Sequence, residues 1–180
     1  GGSDEVTSDS TRATPVAVAV DQDFVYWFNQ GTFQTWRRRK VLRLNNADLP
    51  AVPVGAPLGN QATVVDMAAD DRSLYFGTRG GVVYGLPKLP DAGAATTVAT
   101  TTAGIRSMVE SGDDLYVTRW TAGEDGQVLR IPKKAGGAPT VLASGLGDLR
   151  DLAVDVQPDG KRIVYFASIA EGAVRRVPVP

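Results

Sequence analysis

What most constrains this chain is a phrase that it writes four times. Each copy is an apolar strand carrying a tyrosine, then a short loop with glycine, then a second strand closing on a basic or proline-rich end. The copies are Val25-Tyr26-Trp27-Phe28 with Gly31-Thr32-Phe33, Leu74-Tyr75-Phe76 with Gly81-Val82-Val83, Leu115-Tyr116-Val117 with Gly126-Gln127-Val128, and Val164-Tyr165-Phe166 with Gly172-Ala173-Val174. Tyr26, Tyr75, Tyr116 and Tyr165 therefore share one column at a period of roughly 40–50 residues, the range in which propellers and related repeat architectures are written.

The segments around the column complete a unit. An apolar run ending on an acidic turn residue precedes each tyrosine strand: Val16 to Asp21, Val64 to Asp70, Ile105 to Glu110 and Leu149 to Asp155. A fourth strand follows, as Thr96-Thr97-Val98-Ala99 and Thr140-Val141-Leu142, and in the first repeat as Val41-Leu42-Arg43-Leu44 before a proline-rich insert from Pro50 to Pro57. No segment sustains a 3.6-residue apolar period, so very little helix is expected. Four short antiparallel strands, with glycine between the second and third, make one propeller blade. Pro87, Pro132 and Pro178 fall together near the end of the third strand, where a missing N–H is tolerated. The expected fold is all-β, a single β-propeller domain over residues 1–180 with repeats at about 15–60, 61–102, 103–146 and 147–180.

The segment Gly1-Gly2-Ser3-Asp4-Glu5-Val6-Thr7-Ser8 parallels Gly136-Gly137-Ala138-Pro139-Thr140-Val141, which leads into a fourth strand. Residues 1–10 therefore read as an outer blade strand, the plainer alternative being a tag remnant followed by a polar tail. Glu5 to Ser8 are expected to pair with Gly172 to Val177, within one chain or with a neighbouring copy, because closure removes the exposed edges that invite association. The other reading is that the four repeats belong to a larger propeller.

Composition narrows the function. With 19 basic and 20 acidic residues the net charge is −1, which argues against a broad nucleic-acid or anionic-membrane surface. The chain has no Cys and no His, so thiol catalysis, disulfides, zinc–thiolate sites and histidine triads are excluded. No apolar run approaches the length of a membrane span.

Tyr26-Trp27 and the Gly-x-Val-x-Arg-Ile/Val-Pro pattern at Gly126 and Gly172 resemble the propeller repeats named for the tetrapeptide Tyr-Trp-Thr-Asp, and more loosely the NHL repeats, over almost the whole chain. The resemblance implies a propeller with its ligand on the top face, and a bacterial extracytoplasmic location, secreted or periplasmic. The fourth residue of the tetrapeptide, an Asp that ties blades together in that family, is here Asn29, Thr78, Arg119 or Ser168. Those relatives usually have six blades, against four repeats here.

Four groups of residues invite a chemical reading. Asp21, Asp70 and Asp155 suggest an acidic ring for a divalent cation, but aspartate at a tight turn more often accepts backbone hydrogen bonds. Trp36-Arg37-Arg38-Arg39-Lys40 with Arg43 interleaves an aromatic and cations as a nucleic-acid contact would, yet reads better as a solvated, basic strand edge. Arg79-Gly80-Gly81 lacks the sequel of a phosphate loop and reads as a hairpin turn, so no nucleotide or other cofactor is expected. The fourth group lies at the start of the first strand of each repeat. Counted back from the turn, Val16, Val65, Arg106 and Arg150 form one column and Ala17, Asp66, Ser107 and Asp151 the next. In propellers that end faces the channel mouth, where the loop beginning Arg119-Trp120 also emerges.

The candidate ligand-binding residues are thus Asp66, Arg106, Arg119, Trp120, Arg150 and Asp151. The function expected from them is non-enzymatic recognition of a protein, peptide or glycan. One alternative is a propeller lactonase or hydrolase with a divalent metal on Asp66 and Asp151. The other is a structural, self-associating propeller piece.

Overall fold

The computed structural model describes residues 14–40, 51–59, 63–89, 91–120 and 125–180. These form four antiparallel sheets, each of strands consecutive in sequence, and no helix occurs among the described residues. Blade one holds β1 (Pro15–Val20), β2 (Phe24–Asn29), β3 (Gln34–Arg39) and β4 (Val52–Val54); blade two holds β5 (Val64–Ala69), β6 (Ser73–Thr78), β7 (Val82–Pro87) and β8 (Thr96–Thr100). Blade three holds β9 (Ile105–Ser111), β10 (Asp114–Arg119), β11 (Gly126–Pro132) and β12 (Thr140–Leu146); blade four holds β13 (Leu149–Val156), β14 (Arg162–Ser168) and β15 (Ala173–Pro178). The fold is a β-propeller. The pairing expected for Glu5 to Ser8 lies outside the described residues.

The tyrosines occupy one position in the sheets. Ala19, Tyr26 and Arg37 lie side by side across blade one, Ala68, Tyr75 and Gly85 across blade two, Val109, Tyr116 and Arg130 across blade three, and Ala153, Tyr165 and Arg176 across blade four. Because side chains alternate between faces along a strand, this register decides which residues face the next blade. Tyr26 and Phe28 of blade one pack on Met67 and Phe76 of blade two, and Tyr75 and Val83 of blade two on Met108 and Val117 of blade three. Tyr116 and Val128 of blade three meet Leu152 and Phe166 of blade four. The core is therefore three layers between successive blades.

A polar lock closes the first two of these layers at the turn ends. Asp21 Oδ1 accepts the backbone N–H groups of Asp23 and Phe24 at 2.9 and 2.8 Å, which fixes its own turn. Its other oxygen accepts from Tyr26 Oη at 2.8 Å and from Lys88 Nζ of blade two, and the Lys88 ammonium lies 4.9 Å from the Tyr26 ring centre. Blade two repeats the arrangement: Asp70 holds the N–H groups of Arg72 and Ser73, Tyr75 Oη donates to it at 3.0 Å, and Lys133 of blade three reaches it at 2.8 Å. These aspartates hold turns, as expected of the type, and they also tie blades together. The third layer differs, since blade four has Val179 where the others have lysine, and Arg162 Nε donates instead to Ser111 Oγ.

Three expectations need correction. The strand that pairs with β3 is Val52–Val54, inside the segment read as an insert, while Val41 to Leu44 lies outside the described residues. Pro53 is tolerated there because among the described residues β4 is the outer strand of its sheet. The glycine column in blade one is occupied not by Gly31 but by Phe33, whose φ of 54° matches the left-handed backbone of Gly81 at 83° and Gly172 at 60°. Trp36 and Arg37 lie in an inner strand flanked by β2 and β4, whereas Arg38 and Arg39 pair with β2 alone among the described residues: Arg37 reaches the Lys88 carbonyl of blade two at 3.1 Å and lies over the Phe24 ring.

The innermost strands pack in succession, β1 on β5, β5 on β9 and β9 on β13, and no comparable packing joins β13 back to β1. The four described blades form an open arc.

Candidate functional site

Each innermost strand carries an irregularity at the same point. The register slips between Pro15 and Ala17, between Val64 and Asp66, between Ile105 and Ser107, and between Leu149 and Leu152. The extra residues include Val16, Val65, Arg106 and Arg150, the column singled out from sequence. A bulge leaves a residue out of the ladder and re-aims its neighbours. Here it turns two adjacent columns toward one opening: Val65, Asp66, Arg106, Ser107, Arg150 and Asp151 line a single shallow depression of about 360 Å³ across β5, β9 and β13.

Ser107 is its centre, a residue that sequence reasoning aligned but did not select. Its hydroxyl lies 3.0 Å from Asp66 Oδ2 on blade two and 2.8 Å from Asp151 Oδ1 on blade four, so one serine bridges three blades. A hydroxyl has one hydrogen, so it serves one carboxylate at a time. Burial pushes the Asp66 carboxyl above its ordinary range, and the Asp151 charge adds to this; hydrogen bonds from the N–H groups of Met108 and Met67 and from Ser107 oppose it. Asp66 thus takes up a proton more readily than a free carboxylate. Asp151 also accepts from the Leu152 N–H at 2.9 Å.

The cations differ in how far they are committed. Arg106 is half-buried and stacks over the Trp120 ring, 4.9 Å from its centre, which links the loop tryptophan to the depression. Arg150 is 51% exposed and pairs with Asp148 at 2.9 Å, while its backbone carbonyl accepts from Thr118 Oγ1 of blade three. Arg119 does not line the depression. Its guanidinium is turned to Gln127 Oε1 at 2.7 and 3.0 Å and to Thr102 Oγ1 at 2.6 Å, which holds the root of the loop beside Trp120. Residues 121–124 of that loop lie outside the described residues.

Two of the fourth-column residues act within their own blades. Asn29 Oδ1 accepts the N–H groups of Thr14 and Gly31, and Thr78 Oγ1 both donates to the Val82 carbonyl and accepts its N–H. Blade locking has passed to the Asp–Tyr–Lys arrangement at the other end and to Ser107 at this one. The lysine column was missed in sequence, although its signal, Pro87-Lys88 and Pro132-Lys133, stands in the chain.

A divalent metal does not suit these residues. Among the described residues no group of three or more Asp, Glu, His or Cys converges, and the two carboxylates present share a serine with two arginines alongside. A depression of about 560 Å³ lies at the turn end, but its Asp21, Tyr26, Arg37 and Lys88 are engaged in the blade lock. The mouth offers a different chemistry, two guanidinium groups and an indole around a polar floor, suited to carboxylate, sulfate or phosphate beside an apolar group.

No protein-family model and no curated protein matches the chain. Among solved structures, the computationally designed Ika4 protein is similar over 100% of both chains, with a TM-score of 0.60 at 14% identity. A chain of the nidogen/laminin complex is similar over 92% of this chain and 65% of its own length, with a TM-score of 0.66 at 14% identity. BBS1N, solved in complex with ARL6DN, is similar over 93% of this chain and 49% of its own length, with a TM-score of 0.63 at 13% identity. The chain therefore spans the whole of the designed Ika4 protein but only about half to two thirds of the other two chains, and what it shares with all three is the fold.

Proposed function

We propose that this chain is a non-enzymatic binding module whose channel-mouth face, carrying Arg106, Arg150 and Trp120 around Ser107, takes an acidic segment of a partner protein or peptide. The observation that carries this reading is the convergence of the two bulge columns on one depression with Arg106 stacked on Trp120. An arginine held against an indole keeps its fork oriented, which lowers the ordering cost of gripping a carboxylate. The loops that build the face are separable from the blades that support it, as in propellers generally. Two of the similar structures were solved as complexes with another protein, which agrees with a binding role. A glycan bearing sulfate or carboxylate would present the same anionic chemistry.

The test is an array of peptides graded in Asp and Glu content, with and without a neighbouring aromatic or aliphatic residue, alongside sulfated and neutral glycans. Acidic peptides flanked by an apolar residue should be retained, and Arg106→Gln should lose them. Retention only of sulfated glycans would move the partner class to carbohydrate. Retention indifferent to peptide charge and to Arg106→Gln would remove the face from consideration.

A further inference from the structure

The end blades of the arc each leave uncovered a face that the inner blades bury. Val18 lies at the strand position of Met67 and Met108, which are buried against the preceding blade, yet Val18 is 62% exposed. Beside it in the same row stand Trp27 and Trp36, both half-buried, and Val16 and Val20 are exposed on the same strand. At the other end, Val174 occupies the position of Val83 and Val128, which are fully buried against the following blade, yet Val174 is 75% exposed. Tyr165 beside it is half-exposed, whereas Tyr26, Tyr75 and Tyr116 are buried.

The polar lock is divided in the same way. In the first two layers a lysine just past the third strand of one blade reaches back to the Asp and Tyr of the blade before it. Lys40 holds this position in blade one, since its N–H bonds the Asp23 carbonyl as Lys88 bonds Arg72 and Lys133 bonds Asp113. Asp155 and Tyr165 hold the receiving position in blade four. Among the described residues Lys40 has no side-chain partner, and Asp155 has only the nearby Gln157.

We infer that a second copy of this chain docks head to tail, with the Val18–Trp27 face of one copy against the Tyr165–Val174 face of the other and Lys40 seated on Asp155 and Tyr165. The two surfaces match in chemistry: an apolar, aromatic face with a lysine at its rim meets an apolar face that carries at its own rim a phenol and a carboxylate bonded only by Gln157 among the described residues. The contact continues an interface that the molecule already builds between its own blades. Because the surfaces differ, the contact is heterologous, and two copies satisfy both ends only by closing into one eight-bladed ring. Propellers of up to eight blades are an ordinary size. This inference does not depend on the channel-mouth reading.

Sedimentation velocity of the 180-residue chain at tens of micromolar tests it, with circular dichroism confirming that each variant is folded. The expected species is a dimer, twice the 19.0 kDa of one chain. Val18→Asp and Val174→Asp should each weaken dimerisation at least tenfold. Lys40→Glu should also weaken it, and Lys40→Glu combined with Asp155→Lys should restore it. A monomeric wild-type chain at this concentration overturns the inference. So does a dimer broken by Val18→Asp but not by Val174→Asp, which would mean that two copies of blade one meet face to face. Failure of the charge swap to rescue overturns the Lys40–Asp155 pairing.

Discussion

The ammonium of Lys133 lies 2.8 Å from the carboxylate of Asp70 on the preceding blade, and the same nitrogen reaches Glu110 of its own blade at 2.7 Å. One cation therefore neutralises two anions across a blade boundary, with its alkyl stem largely covered. Removing it leaves two partly buried carboxylates facing each other, a costlier event than losing a solvated pair.

Lys133→Ala should accordingly cost about 2–3 kcal/mol in urea unfolding. Lys161→Ala, which breaks an exposed pair with Asp159, should leave stability essentially unchanged. Equal effects of the two substitutions would deny the lock a structural role.

The same lock sets the acid limit of stability. Burial pushes the Asp70 carboxyl up, but Lys133, the N–H groups of Arg72 and Ser73 and the Tyr75 hydroxyl outweigh it and bring the group down to about 2. Asp21 is held below its ordinary range in the same manner, burial opposing and Lys88 leading the groups that overcome it. A depressed carboxylate contributes stability that is fully present above the unfolded value and is lost as pH falls through the folded one. Unfolding free energy should therefore decline between about pH 4 and pH 2. Asp70→Asn should flatten that decline and lower stability at pH 7, as followed by urea titrations at each pH. An acid slope unchanged by Asp70→Asn would contradict the assignment.

Glycine matters where both backbone and space are restricted. A Cβ on Gly81, at φ 83°, would meet the Thr101 and Ala103 carbonyl oxygens at 2.7 Å, whereas one on Gly160, at φ 81°, would meet nothing. Gly160→Ala should cost about 1 kcal/mol from backbone strain alone. Gly81→Ala should cost at least twice as much, since the carbonyls must also move, and thermal unfolding of the two variants separates the terms.

The propeller was legible because its signals are local. A tyrosine strand recurs four times, with a glycine and a proline at fixed offsets in three of the copies, and the register places Tyr26, Tyr75, Tyr116 and Tyr165 alike. The arginine and aspartate columns were legible for the same reason, by counting back from the turn. The Lys88 and Lys133 contacts were not, because a lysine after a proline looks like a solvated strand end when its partner lies more than sixty residues upstream. Phe33 was misaligned because a bulky residue rarely adopts positive φ. β4 was missed because Val52-Pro53-Val54 reads as loop until its pairing to Thr35, Trp36 and Arg37 is known.

Protonation should tune the channel mouth. Burial and the neighbouring Asp151 raise the Asp66 carboxyl, so acidification neutralises it before ordinary carboxylates and leaves Arg106 and Arg150 less opposed. Affinity for an acidic peptide should rise as pH is lowered toward the ordinary carboxylate range, while the peptide's own carboxylates stay ionised. The stability term runs the other way from that of Asp70: a raised carboxyl contributes stability below its unfolded value and loses it as pH rises through the folded one. Fluorescence anisotropy of a labelled peptide across that range reads the effect, and an affinity that falls on acidification would contradict it.

The most direct test of the binding face is Trp120→Ala, scored for melting temperature and for affinity toward an acidic peptide selected by the wild-type chain. Trp120 is half-buried and stacks on Arg106, so its loss removes both an apolar contact and the support that orients the guanidinium. A nearly unchanged melting temperature is expected, with binding weakened by about 1–2 kcal/mol or more. A lowered melting temperature with unchanged binding would show that Trp120 belongs to the core and that the partner is held elsewhere.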